Sequence, residues 1–123
     1  MQRLFFALGS SFALLGVVAG AFGAHALKQR ISADMLTTFE IAVRYQMYHA
    51  LGLIAVAWAA SSQWDSRLLL PVGWLFVIGI LIFSGSLYIL SLTGMRWLGA
   101  ITPIGGLALI AGWACLVWAA IRG

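Results

Sequence analysis

The side chains equipped for chemistry in this largely apolar chain are His25, Glu40, Arg44, Tyr45, His49, Ser84, Ser86, Tyr88 and Thr102. Two histidines can hold haem or copper, or pass protons along a relay. Glu40 and Arg44 stand four residues apart with the acid first, the helical spacing that favours a local ion pair. Tyr45 and His49 share the same spacing, but His49 lies about 140° around a helix from Arg44. These side chains therefore form no single local cluster. Ser84-Gly85-Ser86 lacks the Gly-x-Ser-x-Gly setting of an activated serine, and Gly105-Gly106 after Pro103 is too short to argue a phosphate loop. No His, Cys or carboxylate spacing matches a metal site. The expectation is no catalytic residue, no metal ligand and no cofactor, with the histidines held in structural hydrogen bonds. Proton or solute passage is the alternative, and a haem or metal electron-transfer role a third reading.

The elements that position these residues follow from composition. The chain has 123 residues, 63% of them hydrophobic and 8% charged, and its mean hydropathy is +1.05. Too few polar residues remain to cover a water-facing surface, so the chain belongs in lipid. A hydrocarbon core of about 30 Å takes roughly 20 helical residues per crossing. Such stretches run over Leu4–Leu27, Ile41–Ala60, Leu68–Leu90 and Leu98–Ile121. Continuous apolar runs argue for helices over the alternating strands of a barrel. The expected fold is an all-α, up-down bundle of four transmembrane helices forming one domain over residues 1–123.

In such a bundle the end of segment one, the start of two, the end of three and the start of four reach the same membrane face, and almost everything polar collects there. The seven Lys and Arg residues are scattered singly at segment ends, which suits lipid headgroups and not nucleic acid. Arg3, an apolar run and Ala24-His25-Ala26 imitate a signal peptide, but the run exceeds the usual core of about 7 to 15 residues. We expect it to be retained as a membrane helix. Ser32 is placed to cap the second helix, with Asp34 in its first turn, and one long helix from Ala33 to Ala60 is expected. The short polar turn from Ser61 to Arg67 suits an antiparallel connection. Trp64, Trp74 and Trp118 are expected near one interface, with Trp97, Tyr45 and Tyr88 nearer the other.

Two arcs of small residues supply packing seams. Gly9, Ala13, Gly16, Gly20 and Gly23 share one side of segment one, and Gly105, Ala108, Gly112, Cys115 and Ala119 share one side of segment four. Small side chains let backbones approach in lipid, where packing replaces the hydrophobic drive. The seams could pair segments one and four, or either could form a homo-oligomer contact. Cys115 is the only cysteine, and its place in a seam reads as compact packing.

At Gly20 to Lys28 (GAFGAHALK), Tyr45 to Leu53 (YQMYHALGL), Phe83 to Tyr88 (FSGSLY) and Thr102 to Gly106 (TPIGG) the chain resembles the YgdD/YwdK-like family. These are small bacterial inner-membrane proteins classified under a domain of unknown function, with more distant eukaryotic transmembrane relatives. The resemblance covers essentially the whole chain and implies a four-helix integral membrane protein. It brings no active-site residues or cofactor. The reading that follows is a non-enzymatic inner-membrane protein acting by packing, with lipids, a homo-oligomer or other membrane proteins as partners, in support of envelope integrity.

Overall fold

The computed structural model describes residues 1–122, and among them the chain is helical throughout apart from its short connections. Helix α1 covers Gln2–Leu27, α2 Ala33–Ser61, α3 Ser66–Thr93 and α4 Thr102–Arg122. A short 3-10 turn, Arg96–Ala100, leads into α4. The ends are where local chemistry puts them. Ser32 Oγ accepts the Met35 N–H at 3.2 Å, capping α2 with Asp34 in its first turn. Asp65 Oδ1 accepts the Arg67 N–H at 2.9 Å and caps α3 in the same way. Gly94, at φ +72°, closes α3 in a left-handed conformation that costs glycine little. Within α1 the residues Ala19–Gly23 form a wide π-turn that the sequence pattern did not announce.

Each helix packs on the next in chain order, α1 on α2, α2 on α3 and α3 on α4, while α1 and α4 do not form a packed pair. Helices α2 and α3 are therefore the central pair, with α1 and α4 flanking them. Both seams are spent inside this arrangement. A side chain added at Gly9 would meet the Ala50 carbonyl oxygen at 2.7 Å, at Gly20 the Val43 side chain at 3.0 Å, and at Gly23 the Phe39 ring at 3.1 Å. Gly16 faces Met47 and Gln46. The first seam thus seats α1 on α2. In α4, Gly105 lies directly over the backbone of Phe83, and Gly112 over the Phe76 ring, so the second seam seats α4 on α3. Pairing of segments one and four does not occur. Cys115 packs at the margin of the apolar core beside Leu116, as a compact seam residue should.

Aromatic rings fill the spaces that glycines leave. Phe5 is fully buried over Gly73 of α3, and Phe76 is fully buried between Gly52 of α2 and Gly112 of α4. Leu109 covers Gly79 in the same manner. Phe5 thereby ties α1 to the far member of the central pair, while Phe76 and Leu109 join α4 to α3, its near neighbour. On the outside, Phe22, Leu14, Trp58, Leu107, Ile110 and Ile121 are among the large apolar side chains left exposed, which is the surface a lipid-solvated protein presents.

Helices α1, α3 and α4, the last with its leading turn, are each long and apolar enough to cross a membrane. Helix α2 is as long as α3 but falls short in apolarity, because Tyr45, Gln46, Tyr48 and His49 interrupt its run. The structure turns Gln46 and His49 inward, so the amide and the imidazole are hidden from lipid, while Tyr45 and Tyr48 stay exposed.

Candidate functional site

The polar residues divide by depth, and the division starts on α2. Gln46 is 5% exposed and reaches both neighbouring helices. Its Nε2 donates to the Phe12 carbonyl of α1 at 2.8 Å, and its Oε1 accepts the Tyr88 hydroxyl of α3 at 2.7 Å. The Phe12 carbonyl can only accept, so these partners fix the orientation of the amide. Four residues before Gln46, the Ala42 carbonyl accepts the Ser84 hydroxyl at 2.7 Å, a second buried link from α2 to α3. Phe39 packs edge-on to Tyr88 with ring centroids 5.1 Å apart and closes this layer.

His49 is also 5% exposed and faces the other flank. The Trp113 indole N–H of α4 donates to its Nε2 at 2.9 Å, while Nδ1 lies 2.6 Å from the Tyr45 carbonyl. An indole N–H can only donate and a carbonyl can only accept. Those partners assign His49 as the neutral imidazole protonated on Nδ1, with both ring nitrogens satisfied. The ring sits among Tyr45, Phe76 and Trp113, stacked on the first with centroids 6.2 Å apart. A proton or a metal ion reaches Nε2 only if the Trp113 bond is broken.

A further link joins α3 to α4. Ser86 and Thr102 hydroxyls lie 2.6 Å apart, with the Phe83 carbonyl 3.0 Å from Ser86 and the Leu98 carbonyl 3.2 Å from Thr102. Whichever hydroxyl donates to the other, the chain of bonds ends on a carbonyl. Among the described residues, no buried side-chain nitrogen or oxygen is left without a partner.

The charged candidates lie elsewhere. His25, Glu40 and Arg44 are exposed, and Glu40 and Arg44 do not form the ion pair expected from their spacing. Exposed side chains of that length gain only a few tenths of a kcal/mol from such a pair, which does not repay their lost freedom. The ion pair found among the described residues is Arg67 with Asp65, 3.4 Å apart at the opposite end of the bundle. Among the described residues His25 makes no side-chain hydrogen bond and shares no partner with His49. No three His, Cys, Asp or Glu side chains come together among the described residues. Tyr45 stays at the surface, 38% exposed, as an interfacial aromatic would, but Tyr88 does not. It is turned inward onto Gln46, because a phenol bonded to a buried amide satisfies two groups at once.

Sequence reasoning did not connect Trp113 or Phe12 with this system. Their partners lie 64 and 34 residues away along the chain, and nothing local to Trp113 singles its indole out. Gln46 was visible as a polar residue in a membrane segment, the signal that could have marked it as a bridging residue.

The chain is similar to known proteins along nearly its whole length. The family described as "Protein of unknown function (DUF423)" matches residues 19–106. A UPF0382 membrane protein of Staphylococcus saprophyticus is 50% identical over 94% of this chain and 95% of its own. The UPF0382 membrane protein YwdK of Bacillus subtilis is 48% identical over 98% of both chains. A UPF0382 membrane protein of Staphylococcus haemolyticus is 49% identical over 94% of this chain and 93% of its own. No solved structure matches the chain.

Proposed function

The chain belongs to the DUF423 family, whose UPF0382 members are named as membrane proteins, and from that premise we propose that it is a multi-pass, non-enzymatic protein of the bacterial inner membrane that supports membrane or envelope integrity through its outer surface. All four helices cross in this reading. Helix α2 lies between α1 and α3, both apolar enough to span, and its buried polar side chains are satisfied by its neighbours. One observation carries the functional reading. Every buried side-chain polar atom among the described residues already has a partner within the chain, so none is aimed at a passing ion or a reacting substrate. What is left to act is the lipid-facing surface and the charged end, with bilayer lipids, a second copy or other membrane proteins as partners.

The alternative is a small proton-coupled or solute permeation unit, which needs a path through this interior. A haem or metal role needs His49 released from Trp113 and brought to a second ligand. Reconstitution into proteoliposomes separates the readings. Proton and solute leak should match that of protein-free vesicles, and His49→Ala should not change it. Flux that disappears with His49→Ala would overturn the proposal in favour of permeation, and stoichiometric metal or haem in the purified protein would favour the third reading.

A further inference from the structure

On the side of the bundle where α2 and α4 stand apart, a lateral groove of about 750 Å³ opens outward. Its size falls within the roughly 300–1,000 Å³ of ligand pockets. Tyr45, Tyr48 and His49 line it from α2, Phe83 from α3, and Gly106 and Ile110 from α4. The lining is overwhelmingly apolar and the groove opens where lipid chains would lie. Gly106 contributes to its width, since an added side chain would touch nothing closer than the Phe83 ring at 3.7 Å. Tyr45 and Tyr48, 38% and 53% exposed, make no hydrogen bond through their hydroxyls among the described residues.

Arg44 stands one turn before Tyr48 on the same side of α2, at the end of the groove nearest the Lys28 and Arg30 connection. By a rise of 1.5 Å per residue it lies about 25 Å from the Ser61 end of the helix, inside a hydrocarbon core of about 30 Å measured from that end. It is exposed and, among the described residues, has no carboxylate partner, Glu40 included. A guanidinium at that depth extends to the headgroup level for a counter-charge. The group available there is a lipid phosphate, which its planar fork binds through paired hydrogen bonds, and the attraction is strongest where the headgroup has no cation of its own to neutralise that phosphate.

We propose that the groove between α2 and α4 seats one anionic phospholipid, its acyl chain along Phe83, Gly106 and Ile110 and its phosphate on Arg44, with the Tyr45 and Tyr48 hydroxyls at the ester level. The proposal rests on the outer surface being the part of the protein that acts. The occupant is a lipid and not free phosphate, because the lining offers far more apolar than polar contact. The test is native mass spectrometry of the full chain released from nanodiscs of mixed zwitterionic and anionic phospholipid. Wild type should retain one anionic lipid per chain. Arg44→Gln should lower retention about tenfold, the scale of one charge-assisted hydrogen bond, and Gly106→Leu should lower it with Arg44 in place. Arg67→Gln, at the opposite end, should retain lipid as wild type does. Circular dichroism of each variant checks that it is folded, and Arg44→Gln, at an exposed site, keeps the test open should Gly106→Leu not fold. Equal retention of zwitterionic lipid, unchanged retention in folded Arg44→Gln, or full displacement by soluble glycerol phosphate would each overturn the proposal. Such a failure leaves the non-conducting reading untouched, whereas His49-dependent flux removes that reading without bearing on the groove.

Discussion

Gln46 and Arg44 are two residues apart on one helix and are treated in opposite ways. Gln46 is buried and bonded to α1 and α3, while Arg44 faces outward with no ion-pair partner among the described residues. The same contrast separates His49, held by Trp113 and the Tyr45 carbonyl, from the exposed His25. A neutral polar group can be fully satisfied by one or two well-placed bonds, so it can join helices in lipid at little cost. A full charge demands more solvation than a compact apolar bundle supplies, and it is left where water or phosphate can reach it. Polarity in this chain is thus of two kinds, one that assembles the protein and one that faces its surroundings.

The largest test of the assembling kind is to deny its helices their approach. A Cβ at Gly105 falls on the Phe83 backbone, which has no side-chain freedom with which to yield, and one at Gly112 falls 2.6 Å from a fully buried Phe76. Gly105→Leu and Gly112→Leu should each destabilise by about 3 kcal/mol, the upper range for overpacking, measured by unfolding in detergent micelles. Gly16→Leu, facing the more pliable Met47, should cost less. His25→Ala should change nothing measurable. Equal tolerance at Gly105 and His25 would erase the distinction between interior and surface.

Next in size is Gln46→Leu, which strands the Tyr88 hydroxyl and should cost about 1 to 2 kcal/mol. Tyr88→Phe removes only one of the two bonds and should cost about half as much. Combining Tyr88→Phe with Gln46→Leu should cost less than the sum, since their shared bond is counted twice. Glu40→Gln, on the surface side of the same helix, should stay within about 0.5 kcal/mol of wild type. Simple additivity of the Gln46 and Tyr88 variants would show that the bridge contributes no coupling.

These residues also show what sequence could and could not reveal. The helices were legible because apolar run length fixes a crossing and because Ser32 marks an end through purely local chemistry. The two seams were legible as surfaces, since 3.6 residues per turn aligns Gly9 with Gly16 and Gly105 with Gly112. Their partners were not, because a smooth arc states that a backbone can approach without stating which. The sharing of one membrane face by the candidates follows from alternating helix direction, but the partition of that face into bridges and free charges depends on rotation of each helix about its axis. Glu40 and Arg44 were read by spacing alone, and spacing permits a pair without supplying a reason for two exposed side chains to hold still. The bond from Trp113 to His49 joins positions whose proximity arises only after α3 has placed α4.

That bond gives a smaller but sharper test. Trp113→Phe keeps a ring beside His49 and removes its donor, at a cost of about 1 kcal/mol. The informative measurement is the imidazole nitrogen spectrum. Wild type should show His49 protonated on Nδ1 alone, and the variant should keep that tautomer through the Tyr45 carbonyl while Nε2 loses its donor and shifts. His25 should give the same spectrum in both proteins. An Nε2 signal indifferent to the substitution would mean that His49 is not held as an interior bridge, and would move it into the company of the exposed residues.

The smallest effect belongs to Asp65, at the water-facing turn furthest from the Lys28 end. The Arg67 backbone N–H, and then the Arg67 guanidinium, hold its carboxyl below the usual range for aspartate. A carboxyl whose folded value is depressed adds stability at pH above its unfolded value of about 3.9, and that contribution fades as pH falls through the lower folded value. Melting of the wild type should therefore decline slightly more between pH 5 and pH 2 (roughly one unit either side of that range) than melting of Asp65→Asn, whose amide still caps α3 but does not titrate. Because Asp65 and Arg67 both face water, salt should shrink the difference. Salt should leave the cost of Gln46→Leu where it is, since that bond has no charge to screen. A salt-insensitive Asp65 effect would place this pair with the interior bridges and not with the charges that face water.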